Sequence, residues 1–213
     1  KREYEKAAAV RDQLAALKRI FAHRPFLRND IEMEHEKGLR LLTTVAKLSS
    51  LPRRIEAYDI SHHKGKESVG SMVVFEDGVP AKSQYRKFKI RQVTGINDPA
   101  MIQEILMRRV RHTEWPMPDF MLIDGGKPQL HAALASLRSI NSPFSHGKNK
   151  SYTYVTIAAL AKKEEELYFS NKPPIALKTM PPPLLHLLQH LRNEAHRFAI
   201  TFSRSRFRKR QIK

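Results

Sequence analysis

The order in which apolar periodicities change along this chain constrains its fold more than any single residue does. Ile55 to Ile60 suits a buried strand, Val69 to Phe75 a second, and a turn through Glu76-Asp77-Gly78 leads into a third that ends near Ile90. Three antiparallel strands in succession are expected from such spacing. The pattern then alternates. Asp98 and Pro99 read as N-cap and first helical residue, and Ile102, Ile105 and Leu106 form the apolar face of a helix ending near His112. Phe120 to Ile123 is a continuously apolar strand, and Lys127 to Ile140 a helix with Leu130, Leu134 and Leu137 along one side. Tyr152 to Leu160 return to strand character, Leu167–Phe169 and Ile175–Leu177 suit a small hairpin, and Pro181-Pro182-Pro183 precede a last helix.

That order (three strands, helix, strand, helix, strand, helix) predicts an α/β domain with a mixed sheet flanked by helices. It resembles the element order of the ribonuclease H fold. In such a sheet the first and fourth strands lie side by side and parallel, and ligands gather at strand carboxyl ends. Asp59 and Asp124 close the first and fourth strands and would become neighbours. Aspartate is depleted from strands and disfavours burial, so two of them ending apolar strands need compensation. A turn-capping role would satisfy each alone. Held together, they form an oxygen-rich grip for Mg²⁺ or Mn²⁺ against a phosphodiester, since hard cations take oxygen ligands.

The last helix carries Leu184, Leu188, Leu191, Ala195 and Phe198 on one stripe, and His196 lies beside it on a face shared with Leu185, Gln189 and Arg192. An imidazole there can ligate a metal or carry protons. Glu194 is turned roughly 200° away by its two-residue step, so it cannot share a site with His196. His62 and His63 follow Asp59, but adjacent strand residues face opposite ways, so at most one looks inward. Asp124-Gly-Gly-Lys-Pro lacks the glycine spacing of a phosphate loop. Asp98 has a capping role open to it as well as a catalytic one.

Lys and Arg number 39 against 21 Asp and Glu, a net charge of +18, which calls for a polyanionic partner, nucleic acid above all. The candidate phosphate contacts are Lys127, Lys162, Lys163, Arg197, Arg204 and Arg206. Tyr85 and Phe88, between basic residues, are read as core contacts ahead of base-stacking ones. No apolar run approaches the roughly 20 residues of a membrane span, and the absence of cysteine excludes disulfides and thiolate sites. A cytoplasmic location is the default expectation.

Residues 1–23 read as an amphipathic helix with Ala7, Val10, Leu14, Leu17 and Phe21 in its stripe, 24–52 as a helical linker with a helix over 32–47, 53–203 as the main domain and 204–213 as a basic tail. Residues 141–151 read as a surface loop. Because the chain opens on Lys1, it is expected to be part of a longer protein.

Four ordered motifs, Tyr58-Asp59-Ile60-Ser61-His62, Leu122-Ile123-Asp124-Gly125-Gly126-Lys127, Leu160-Ala161-Lys162-Lys163 and Glu194-Ala195-His196-Arg197-Phe198-Ala199, resemble the C-terminal half of the UvrC family, the incision subunit of bacterial nucleotide excision repair. The resemblance spans nearly all of residues 55–210. It implies a ribonuclease H-like endonuclease that cuts damaged double-stranded DNA on the 5′ side of the lesion, with its Asp-Asp-His triad at Asp59, Asp124 and His196. A further acidic position of the family falls on Asp98, where this chain has Asn97-Asp98 in place of two acids. The family's glycine after Gly-Gly-Lys is Pro128 here, its threonine after Ser-His is His63, and its acid before Glu-Ala-His is Asn193. Residues 4–14 are similar to the second helix of the hairpin that contacts UvrB, which implies UvrB as a partner downstream of UvrA. Two other readings of the same residues are a non-catalytic DNA-binding or assembly module and a branched-DNA nuclease on the same fold.

Overall fold

The computed structural model of the chain describes residues 10–14, 32–63, 67–140 and 155–211, and of these all side chains but those of 63, 67, 139, 140 and 202–211. Within the segment expected as an N-terminal helix, residues 10–14 are helical and the rest lies outside the described residues, as does the expected loop at 141–151.

A first helix, α1, spans 32–46. It is followed by strands β1 (Arg54–His63), β2 (Glu67–Glu76), β3 (Val79–Pro80) and β4 (Arg86–Lys89), then α2 (Asp98–Arg111), β5 (Phe120–Asp124), α3 (Lys127–Ile140), β6 (Thr156–Ala161), β7 (Glu166–Phe169), β8 (Lys172–Ala176) and α4 (Pro182–Gln211). One mixed sheet runs β3-β2-β1-β5-β6-β7-β8, with β4 also paired to β2. β1 is antiparallel to β2 and parallel to β5, and β5 is parallel to β6. This is the α/β arrangement that the order of periodicities predicts.

Two details differ from the sequence expectation. The third strand is not continuous: β3 and β4 both pair with β2, but a 3-10 turn at Lys82–Gln84 separates them. Pro80 brings no N–H to the ladder, and Tyr85 turns its ring into the core, so the chain leaves the sheet between them. The second concerns α2, whose N-cap is Asn97, its side chain accepting from the Ala100 N–H at 3.2 Å. Asp98 is thus the first helical residue, and its carboxylate is free of the capping duty assigned to it. Tyr85 and Phe88 are buried, as expected. The last helix continues through the residues read as a basic tail, up to Gln211.

The sheet is covered on both faces. α1 and α4 pack on one through Leu39, Leu42, Ile55, Ala57, Val73, Phe120, Leu122, Leu184, Leu188, Leu191 and Ala195. α2 and α3 pack on the other through Tyr58, Met72, Ile102, Ile105, Met121, Ile123 and Leu130. Period-2 alternation sorts each strand between these two cores, which is why Phe120 to Ile123 are all buried. Gly70 lets β2 approach α2: a Cβ there would lie 2.7 Å from Ile105 Cγ2. Asp77 (φ 49°) and Gly78 (φ 80°) form the tight turn between β2 and β3.

The pairing of β1 with β5 is pinned at its start by Asp119. Its carboxylate accepts the backbone N–H groups of Arg53 and Arg54, each at 2.9 Å, and its own N–H donates to Arg54 O at 2.8 Å. Below the same strand, buried Glu56 accepts from Arg109 Nε (3.0 Å) and Nη2 (2.9 Å), from Arg54 Nη2 (3.0 Å) and from the Tyr58 hydroxyl (2.6 Å). Arg109 is wholly buried and also donates to Pro116 O, so Glu56 anchors the C-terminal turn of α2 to β1. Glu56→Ala should strand the Arg109 charge in the core and cost about 3–5 kcal/mol of stability, read as a lower urea midpoint at unchanged slope. A loss below about 1 kcal/mol would show that Arg109 finds water or another partner.

Candidate active site

Tyr58 pairs with Ile123 in the β1–β5 register, so the next residues, Asp59 and Asp124, are lateral neighbours; Asp124 ends β5, whereas Asp59 does not close its strand as the sequence suggested, since β1 continues to His63 along β2. Both fall on the α4 face by alternation from Ile55 and Ala57 on β1 and from Phe120 and Leu122 on β5. There α4 lies against the sheet. The Ser71 hydroxyl, opposite Asp59 on β2, donates to Ala195 O at 3.0 Å. On its far flank the helix is fixed by Glu194, which accepts from the Tyr85 hydroxyl (2.9 Å) and from Arg197 Nε (2.7 Å) and Nη2 (2.6 Å). Burial, then this bond to Glu194, pushes the Tyr85 hydroxyl up, while Arg197 leads in holding Glu194 below the usual carboxyl range. With Glu194 committed away from the aspartates, His196 turns toward them.

The three side chains come together. His196 Nδ1 is 3.4 Å from Asp59 Oδ2, and one donor atom each from Asp59, Asp124 and His196 lie within 4.8 Å of one another. They are the one such His, Asp or Glu group among the described residues. Access is graded: the Asp59 side chain is 8% exposed, that of His196 56%. Asp59 Oδ2 is buried and forms no hydrogen bond, a state that is costly for a carboxylate and that a cation would relieve. Two carboxylate oxygens and one imidazole nitrogen are donors that a divalent cation accepts, and the set fits one.

Electrostatics agree with the geometry. Burial first, and the facing charge of Asp124 second, push the Asp59 carboxyl up to about 8, with Asp98 adding to the push. Burial also raises Asp124, against the pull of Arg192, His196 and Lys162. Without a cation, the pair therefore retains a proton at neutral pH.

Asp98 does not join the three. His62 Nε2 lies 2.5 Å from Asp98 Oδ1, and His62 Nδ1 2.9 Å from Ser68 Oγ. Of the basic residues singled out in the sequence, Lys127, Lys162 and Lys163 are exposed around the carboxyl edge of β5 and β6. Lys127 Nζ also sits 5.4 Å from the centre of the Tyr168 ring. Arg197 is bound to Glu194 on the opposite flank of α4, and the side chains of Arg204 and Arg206 lie outside those described. Sequence reading passed over two residues. Arg192 stands one turn before His196, a spacing of four that puts both on one helix face, and acts on Asp124. His62 is the other; alternation allowed at most one histidine of the pair to look inward and named no acidic partner for it.

The pattern described as the UvrC RNAse H endonuclease domain matches residues 43–200. Among related proteins, UvrABC system protein C of Acidobacterium capsulatum is 45% identical over 164 residues, covering 75% of this chain and 24% of that protein. That of Gloeobacter violaceus is 42% identical over 186 residues, 84% of this chain and 28% of its own length. The chain thus spans about a quarter of the curated relatives it matches. Among solved structures, endonuclease V of Ciona intestinalis in complex with inosine-containing DNA aligns at a TM-score of 0.37 and 14% identity, over 63% of this chain and 58% of that one. Human endonuclease V aligns at 0.37 and 12%, over 72% and 85%. The chain belongs to the UvrC RNase H endonuclease domain family.

The raised Asp59 carboxyl makes a signed prediction. The folded protein holds a proton that the unfolded chain, with Asp near 3.8, has released. The stability from this group is complete below the unfolded value and is lost as pH rises through about 8. Asp59→Asn has no such loss. In EDTA its melting temperature should gain on the wild type as pH rises from about 5 to about 8, with the difference levelling off above that. A pH-independent difference between the two proteins would contradict the assignment.

Proposed function

We propose that this chain is the divalent-metal-dependent endodeoxyribonuclease domain that makes the 5′ incision at damaged DNA in nucleotide excision repair. The observation that carries this is the convergence of Asp59, Asp124 and His196 from β1, β5 and α4 into one cluster with an unsatisfied buried carboxylate oxygen. Membership of the UvrC nuclease family supports the substrate class, and the net charge of +18 suits a polyanion. Asp59 and Asp124 would hold the cation, Mg²⁺ or Mn²⁺, with His196 as third ligand or proton carrier. When bound, such a cation supplies Lewis acidity to the phosphoryl oxygens.

The chain's own residues have separate tasks. Asp59 and Asp124 bring negative charge to the α4 face of the sheet, where the buried Leu122 and Leu160 belong to the same core. His196, at the rim, takes a proton from the attacking water or returns one to the leaving oxygen as one P–O bond forms and another breaks. Lys162 and Arg192 offset the charge of the phosphate, and Lys127 and Lys163 extend that field along the backbone. Damaged duplex DNA is the substrate, UvrB the partner and the cytoplasm the setting. No helix among the described residues is long and apolar enough to cross a membrane.

The test is incision of a lesion-bearing, end-labelled duplex by the full-length protein with UvrA and UvrB. Asp59→Ala, Asp124→Ala and His196→Ala should each lower 5′ incision by at least about 100-fold while DNA binding stays within a few-fold. EDTA should abolish incision, and Mg²⁺ or Mn²⁺ restore it. Undiminished 5′ incision by the two aspartate variants would end the proposal.

A further inference from the structure

Asp98 is not part of the Asp59–Asp124–His196 group, and it is not left to solvent. Its side chain is 38% exposed, that of His62 27%, and His62 Nε2 meets Asp98 Oδ1 at 2.5 Å. The imidazole is in turn fixed from behind. Ser68 pairs with His62 directly across β1 and β2, and its hydroxyl lies 2.9 Å from His62 Nδ1. In the neutral ring, Ser68 Oγ–H donates to Nδ1 and Nε2–H donates to the carboxylate, so one tautomer serves both bonds. Capping does not explain the arrangement, because Asn97 already caps α2. Nor is a link between α2 and the sheet lacking, since Glu56 and Arg109 anchor the other end of the helix.

The position of this pair gives it a purpose. His62 is three residues beyond Asp59 on β1, on the opposite face by alternation, and it draws the first turn of α2 to the carboxyl edge where the pocket opens. We infer that His62, backed by Ser68, is a positioning residue that holds the Asp98 carboxylate at the edge of the Asp59–Asp124–His196 pocket, so that Asp98 serves incision only in the orientation His62 gives it. One Asp98 oxygen, Oδ1, is tied to the imidazole.

The inference rests on the nuclease reading for its kinetic test but not for its spectroscopic one. In metal-free protein, the ring-nitrogen spectrum of His62 should show a proton on Nε2, with a downfield signal that disappears in Asp98→Ala and weakens in Ser68→Ala. In incision assays, His62→Ala should lower kcat by about 10–100-fold, the usual effect of removing a partner that orients an active-site group. His62→Gln, which keeps an N–H donor, should recover most of it. The decisive comparison is the double variant: His62→Ala should cost nothing further in an Asp98→Ala background. Multiplicative losses, or a His62 signal indifferent to Asp98→Ala, would overturn the inference while leaving the nuclease reading intact. Undiminished incision by Asp59→Ala would fail that reading and leave the spectroscopic result standing.

Discussion

The parallel pairing of β1 with β5 is the constraint on which the rest depends. Asp119 fixes it at one end by accepting two N–H groups of the neighbouring strand, and the same number of residues further along each strand come Asp59 and Asp124. A slip of one residue would turn one aspartate to the opposite face and bury it among Ile60, Ile123 and α2. The two apolar cores resist that slip, because every strand residue from Ile55 to Tyr58 and from Phe120 to Ile123 already occupies a buried place. Placing two carboxylates together is electrostatically unfavourable, and the fold tolerates it because packing elsewhere on the same strands is so complete.

The third component arrives by another route. α4 is held against β2 by the Ser71 bond to Ala195 O and by the Tyr85–Glu194–Arg197 group, and these contacts set its rotation. At about 100° per residue, that rotation determines which of Glu194, Ala195 and His196 meets the sheet, which the far flank and which the aspartates. A helix placed by hydrophobic burial alone would have more freedom about its axis. Here polar bonds on one flank aim an imidazole on the other.

Much of this was legible in the sequence because it follows from periodicity. Alternating apolar positions gave the strands, the three-and-four spacing gave α2, α3 and α4, and the order of the two gave the parallel neighbours. Asp59, Asp124 and His196 were readable as polar residues placed where apolar patterns end or turn. What was not legible depended on contacts between distant segments. Asn97 and Asp98 are equally good caps in isolation, and only His62, brought near by the fold, decides between them. The break between β3 and β4 likewise reflects where Tyr85 finds its place in the core. Arg192 shares a helix face with His196, but its relation to Asp124 needs the tertiary arrangement to become visible.

The gradient of exposure from Asp59 to His196 has a directional consequence. A group approaching from solvent meets the histidine before it reaches the buried aspartate, so the imidazole is the threshold of the cluster. The depth of one aspartate and the shallowness of one histidine thus give the cluster a polarity of approach, from helix to strand.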